Sequence, residues 1–328
     1  MANFTALNAA LLANYLAEKG TEIFKKLLWE QGTDNWTTTV ANMKNGMISP
    51  KFSMGASAKP FNTTLAATDN QTFDAAILKV YPNKIEEAID PQKYYAYEQL
   101  ISGATDGRTF DPEKFPFHQF ITEELIRVNN EALRETAIWN GVRNNSGTTM
   151  AATVDGFNTL INNSVTGVSG APVIPSQYIK ATGALTAANT YDKVRDVVAA
   201  VPIKYRRQKD FQVLCGDTVW GDYWDGYKAD RGGMIEPKLV DDDTLIIDAK
   251  WGKTVVLKRI QCMTTANSQR LIATPKSNLQ VGTNMDKFGD YVLKVHDFGW
   301  TYAILAYFEL GCGIFEYGDG ALVVNDQL

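Results

Sequence analysis

FHQFITEELIRVNNEALRETAIW, residues 117–139, is the stretch whose reading decides the fold. It holds neither Pro nor Gly, and a helix of about twenty residues would run about 30 Å. Phe117, Ile121, Leu125, Val128, Ala132 and Trp139 recur at spacings of three or four with one longer gap, which predicts a single apolar face. Glu123, Glu124, Arg127, Asn130, Glu131 and Arg134 fill most of the other side, and acids near the start suit the helix dipole. Pro116 fits the first helical position and Gly141 the stop. One long helix in the middle of a strand-rich chain reads as a spine. An ordinary amphipathic helix on any sheet has the same periodicity, so the flanking segments decide.

Downstream, residues 141–170 are rich in Gly, Asn, Ser and Thr and read as a crossover rather than an element. Thr190 caps a short helix with Val194, Val197, Val198 and Val201 inward and Pro202 near its end. Phe211–Cys215 is an apolar run of the kind a buried strand shows, after which Asp217 or Thr218 caps a segment carrying Trp220, Tyr223, Trp224 and Tyr227. From Leu239 on the chain is mostly β, with short runs at 245–247, 254–257, 270–273, 279–282, 291–296, 302–310 and 321–324 between Gly, Asp, Asn or Pro breaks.

Upstream, residues 5–30 read as helix in two pieces. Leu7, Leu11 and Tyr15, with Leu12 and Leu16, sit at helical spacing; Gly20 interrupts, and Thr21 caps a piece holding Ile23, Phe24, Leu27 and Leu28. That face needs burial on the chain's own core or on a neighbour. Residues 35–71 are polar, with Pro50 and Pro60, and unstructured loops this long are uncommon in a compact domain. Residues 72–81 read as one strand stopped by Pro82, so this region predicts a projecting two-stranded hairpin. Helix, hairpin, long helix, αβ lobe and β return together make the class α+β. No solenoid repeat is present.

A length of 328 residues predicts two lobes, and a net charge of −5 gives no global attraction to nucleic acid or anionic membranes. Cys215, Cys262 and Cys312 are odd in number and widely spaced, which argues for buried thiols in a reducing compartment rather than a disulfide frame or zinc site. Neither a signal peptide nor an apolar run long enough to span a membrane is read, which gives the expectation of a cytosolic product.

Catalytic equipment is sparse. His118 and His296 are the only histidines, and the sequence has no nucleophile elbow, HExxH, phosphate loop or dinucleotide fingerprint. Cys312, between Gly311 and Gly313, reads as a small apolar residue. Asp241, Asp242 and Asp243 read as a solvated turn rather than a cation site. Lys204, Arg206, Arg207 and Lys209 form one dense basic patch, a solvated face or an intersubunit contact sooner than a nucleic-acid site. The Trp220–Tyr227 stripe is equally a core stripe or a contact surface.

In order and local texture the segments resemble tailed-phage major capsid proteins, the Johnson-fold shell proteins, over nearly the whole chain. FDAAILKVYPNKIEEAIDPQ (residues 73–92) looks like the returning strand of the family's extended loop, and EALRETAIWNGVRNNSG (131–147) like the end of its long helix and the crossover. Residues 190–228 look like the axial helix–strand–helix unit, RLIATPKSNLQVGTNMD (270–286) like the late strand pair, and 304–324 like the closing strands.

The resemblance implies an N-terminal arm at 1–47 and an extended loop at 48–95. It implies a peripheral domain at 96–145, holding the spine at 117–139, an axial domain at 146–285, and a second peripheral part at 286–328. It implies a non-enzymatic, cofactor-free and metal-free subunit that builds pentamers and hexamers into an icosahedral virion shell around double-stranded DNA. Assembly in the host cytoplasm without a membrane, and DNA packaging without sequence-specific binding, are implied with it. Arm and loop would lie on neighbouring subunits, with Leu11, Tyr15, Leu28, Phe61, Arg206, Arg207, Trp220 and Trp224 as intersubunit contacts. The family's N-terminal scaffolding domain is expected to be absent, so a separate scaffold is expected, with portal and decoration proteins as further partners. Lys51 or Lys59 lies in the loop where some members crosslink Lys to Asn. Two other readings are an encapsulin-like nanocompartment shell and, last, an oligomeric cytosolic enzyme, for which His118 and His296 would matter.

Overall fold

The computed structural model describes residues 35–43, 47–54, 71–89, 124–125, 127–129, 131–233, 235–247, 255–284, 294–297 and 302–327. The helix expected at 117–139 is present over the described part of that range and ends at Ile138–Asn140, before Gly141. Its last turns widen into a π-helix at Leu133–Ala137. Leu133, Ala137, Ile138 and Trp139 are fully buried, three of them consecutive, because other elements surround this end on several sides. Val128, expected on the buried face, is instead 48% exposed. The core-facing positions run through Leu125 and Leu133, and at about 100° per residue Val128 falls on the opposite flank.

The strands, numbered in chain order, form three sheets among the described residues. In the first, β13 (Tyr302–Ile314) is the central strand. β4 (Tyr81–Ile89) pairs with it antiparallel from Tyr302↔Ile89 to Leu310↔Tyr81. β11 (Leu279–Thr283) and β12 (Lys294–Asp297) also pair with β13, and β1 (Thr38–Val40) runs parallel to β11. Leu310 is bridged by both Tyr81 and Thr283, so β4 lies on the flank of β13 opposite β11. The second sheet is the hairpin of β2 (Met47–Met54) and β3 (Gln71–Leu78), in register from Met47↔Leu78 to Met54↔Gln71. The two-stranded hairpin is therefore present. The expected stop at Pro82 is not: the strand breaks at Lys79–Val80 and resumes through Pro82. Proline is tolerated there because β4 pairs on one flank only among the described residues.

The third sheet has seven strands in the order β5 (Ile179–Lys180), β14 (Val323–Asn325), β10 (Ile272–Pro275), β6 (Phe211–Cys215), β9 (Val256–Arg259), β8 (Thr244–Ile246) and β7 (Leu239–Asp241). β6 is buried along its whole length because both faces of this sheet are covered. Val213 and Cys215 point to one core with α2 (Thr190–Ala200) and α4 (Asp217–Asp230). Leu214, Ile272 and Val324 point to the other, which they share with the spine end and the first sheet.

The crossover holds an element that composition concealed, α1 (Phe157–Thr166), closed by Gly167 at φ 69°. Its Phe157 and Ile161 are fully buried. Short helices at Ile203–Arg206 (α3) and Gln261–Thr265 (α5) complete the set used below.

Two placements differ from the expected boundaries. β11 lies in the first sheet although residues up to 285 were expected in the axial unit, and β14 lies in the seven-stranded sheet although 286–328 were expected with the spine. Residues 35–43, expected in the arm, are strapped to the body. Trp36 is buried with its ring edge-on to Phe157 at 5.4 Å, Gln212 Nε2 donates to the Trp36 carbonyl at 2.6 Å, and Lys258 Nζ donates to that of Asn35 at 2.7 Å. The chain passes from one sheet to the other through the turn at Lys276–Asn278. Asn278 Nδ2 donates to Thr274 Oγ1 (3.0 Å) and to the Glu316 carbonyl (2.9 Å), and Asn278 Oδ1 accepts from the Glu316 N–H (2.7 Å).

Candidate functional site at the hairpin root

The β2–β3 hairpin meets the body through Leu78, Lys79 and Val80. This segment crosses the first sheet where three glycines supply a floor. A Cβ at Gly311 would overlap the Lys79 carbonyl oxygen, one at Gly313 would come within 2.6 Å of Leu78 Cδ1, and one at Gly282 within 2.5 Å of Met43 Sδ. Glycine here serves close backbone approach rather than flexibility. Met43, Leu78 and Val80 form a small cluster of their own on that floor, with Val40 against it. The Met43 N–H donates to the Thr283 carbonyl at 3.0 Å, fixing the strap beside the root. Cys312 between the glycines is buried, and desolvation pushes its thiol up.

Beyond the root, Arg143 clasps the start of β4. Its Nη1 donates to Asn83 Oδ1 (2.8 Å) and the Thr153 carbonyl (2.7 Å), its Nη2 to the Pro82 carbonyl (3.3 Å), and its Nε to Asn145 Oδ1 (3.1 Å). The guanidinium stacks over the Tyr81 ring at 5.0 Å. The Arg143 N–H itself donates to Asp155 Oδ1 at 2.8 Å. The phenol of Tyr81 is raised from its ordinary value by burial and then by Asp155, while Arg143 opposes the shift. The helix that delivers Arg143 ends where Gly141 and Gly156 meet. A Cβ on Gly141 would overlap the Val154 carbonyl, and one on Gly156 that of Trp139. A polar groove of about 730 Å³ lies between this crossover and β4, lined among others by Lys84, Glu86, Asn129, Asn144, Thr149 and Tyr307.

The residues expected at subunit contacts fall in separate places. Leu11, Tyr15, Leu28 and Phe61 lie outside the described residues, as does His118. Trp220 is only 8% exposed and packs in the core with Tyr223 and Tyr227, leaving little surface for a neighbour. Trp224 is half-buried against that core, with Lys228 Nζ 5.5 Å from its ring centroid. The stripe therefore serves the lobe's own core first. Arg206 is half-buried and Arg207 exposed at the end of α3, where Lys204 Nζ lies 4.5 Å from the Tyr205 ring centroid. The glycine floor and the arginine clasp had no sequence motif; the Gly-Cys-Gly spelling was the single visible sign of either.

All three thiols are buried and displaced upward by desolvation, Cys262 to about 12, which disfavours thiolate. Asp243 is held by Arg259 at 2.8 Å, and Arg259 also reaches Asp217 at 2.7 Å. No group of three or more metal-ligating side chains occurs among the described residues, and no described helix is long and apolar enough to cross a membrane.

No family model and no curated protein matches the chain. Solved structures do. The chain is similar to a subunit of the native GTA particle capsid, with a TM-score of 0.52, 13% identity, and coverage of 91% of this chain and 90% of that one. It is similar to a subunit of the satellite phage P4 procapsid at a TM-score of 0.51 and 12% identity, covering 93% and 98%. The capsid of Myoviridae phage XM1 gives a TM-score of 0.52 and 14% identity, covering 91% of each chain. Over nine-tenths of its length, the chain thus shares its α+β fold with subunits of these phage and GTA capsids.

Proposed function

We propose that the chain is a structural capsid subunit, not an enzyme, which builds pentamers and hexamers of itself into an icosahedral virion shell around double-stranded DNA. The observation that supports this most is the shared fold with capsid subunits across nine-tenths of both chains. The physical form agrees. A hairpin of two 8-residue strands pairs only with itself among the described residues, rests on a three-residue cluster, and carries Ile77 60% exposed. Two strands alone are marginal in water, so such a hairpin gains stability from a neighbouring surface. Copies related by rotation repeat that contact and close rings.

In this reading the segment ahead of Trp36 is the arm, β2–β3 the extended loop, the spine with the first sheet the peripheral unit, and the seven-stranded sheet the axial unit. Trp224, Arg206 and Arg207 remain contact residues, with Leu11, Tyr15, Leu28 and Phe61 in the arm and loop. The chain's charge of −5 suits a wall that contains DNA without holding its sequence. Scaffold, portal and decoration proteins are its expected partners, and the host cytoplasm its site of assembly. Size-exclusion chromatography with negative-stain imaging, alone and with neighbouring gene products, tests the reading. Rings, tubes or shells that protect DNA from nuclease are expected. A stable dimer or tetramer under every condition overturns it.

A further inference from the structure

Two surfaces around the seven-stranded sheet, the edge strand β7 and the α3 region, carry opposite charge and exposed aliphatic side chains. At one end, β7 is the last strand, and all three of its residues are exposed. Leu239 and Val240 are 47% and 59% exposed, beside an exposed Ile235. An edge strand open on both faces gains nothing within its own sheet from Leu and Val. The carboxylates around it are divided. Glu236 is paired with Lys228 at 2.9 Å and Asp243 with Arg259, while Asp241 and Asp242 are exposed and in no ion pair among the described residues. Lys238 precedes the strand, Asp241 ends it with Oδ1 accepting from the Asp243 N–H at 3.0 Å, and Asp242 follows.

The basic patch lies on α3 and on the residues that lead from it into β6, the middle strand. Pro202 and Tyr178, the latter leading into β5, crowd Gly320 just before β14, and Lys204 Nζ lies 4.0 Å from Asp319. Arg207 and Lys209 are exposed and in no ion pair among the described residues, next to Ile203 at 59% exposure. One surface thus offers aliphatic side chains with two exposed carboxylates outside any ion pair, and the other an aliphatic side chain with two exposed cations outside any ion pair, among the described residues. Arg207 and Lys209 lead into β6, the middle strand, and three spacings of about 4.8 Å, about 14 Å in all, separate β6 from β7; among the described residues the two patches form no ion pair with each other.

We propose that the β7 tip of one copy docks on the α3 end of the next, with Leu239 and Val240 against Ile203 and with Asp241 and Asp242 facing Arg207 and Lys209. The contact joins two different patches, so it is heterologous and propagates from copy to copy until a ring closes. The partner is a second copy of this chain, and the inference rests on the shell reading. Facing charges set the register and the encounter, while the aliphatic residues supply burial.

The test is charge reversal on the full chain. Arg207→Glu with Lys209→Glu makes one variant, Asp241→Lys with Asp242→Lys a second, and all four changes a third. All are surface positions, and thermal melting checks that each variant folds. Each pair alone is expected to raise the protein concentration needed for rings by roughly tenfold or more, and the fourfold variant to restore assembly. Pairs that assemble like the parent, or a fourfold variant no better than either pair, overturn this contact and leave the shell reading standing. A parent chain that never assembles overturns both.

Discussion

The carbonyl oxygen of Lys79 occupies the place that a Cβ on residue 311 would need. Gly311→Ala therefore sets a methyl against backbone that carries the hairpin, not against a movable side chain. Overpacking of this kind costs about 1–3 kcal/mol. We expect lower stability in urea and faster proteolysis within residues 47–80. Unchanged stability together with unchanged proteolysis would refute the account of the floor.

Arg143 is a clasp made of a planar fork. Arg143→Ala leaves the Asn83 and Thr153 oxygens without their donor, at about 1–3 kcal/mol. Arg143→Lys keeps the charge but cannot reach these partners together, so it should recover only part of the loss. Hydrogen exchange across residues 144–149 should quicken in both variants. Full recovery by Lys would show that charge, not geometry, is what matters.

Arg270 is fully buried, and none of its side-chain nitrogens has a hydrogen-bond partner among the described residues. Desolvation lowers its guanidinium from the ordinary arginine value to about 10. A cation depressed in the folded state makes the unfolded chain bind more protons between those values. This group's contribution to stability therefore rises with pH from about 10 up to the ordinary arginine value. At neutral pH it is a net burden, so Arg270→Met is expected to stabilise the protein by about 1–4 kcal/mol. A loss of stability in this variant would mean that the guanidinium has an acceptor.

The thiols work in the opposite sense. Burial raises Cys262 from an ordinary 9.0 to about 12, and Cys215 and Cys312 move the same way. Their contribution is complete below pH 9 and is lost as pH rises through the folded values. Alkaline unfolding should therefore begin above pH 9, and Cys262→Ala should flatten part of the slope. At pH 8 the native thiols should react with a disulfide reagent only as fast as the protein opens; rapid reaction of all three would contradict their burial.

Strands that bury both faces announce themselves: Phe211–Cys215 is apolar at every position but Gln212, and its span was legible as written. The Gly141 stop was equally plain. What local pattern could not show was set by distant contacts. Pro82 reads as a breaker, yet β4 pairs on one flank only among the described residues, and Arg143 takes the Pro82 carbonyl. Phe157, Ile161 and Val165 kept helical spacing, but the Asn, Thr and Ser between them gave the segment the texture of a loop. Val128 kept the right spacing on the wrong flank. Trp36 lies in a polar stretch and looked unanchored because Phe157 and Gln212 are far along the chain.

The turn at Asn278 sews two sheets into one piece, for its side chain bonds both the strand it leaves and the end of β13. With Leu214, Ile272, Val281 and Phe308 in one shared core, the two sheets have no seam along which to slide. The body behaves mechanically as a stiff tile. In the proposed shell, differences in tilt between neighbouring copies would therefore be absorbed at its margins, where the hairpin meets its glycine floor and where tile touches tile.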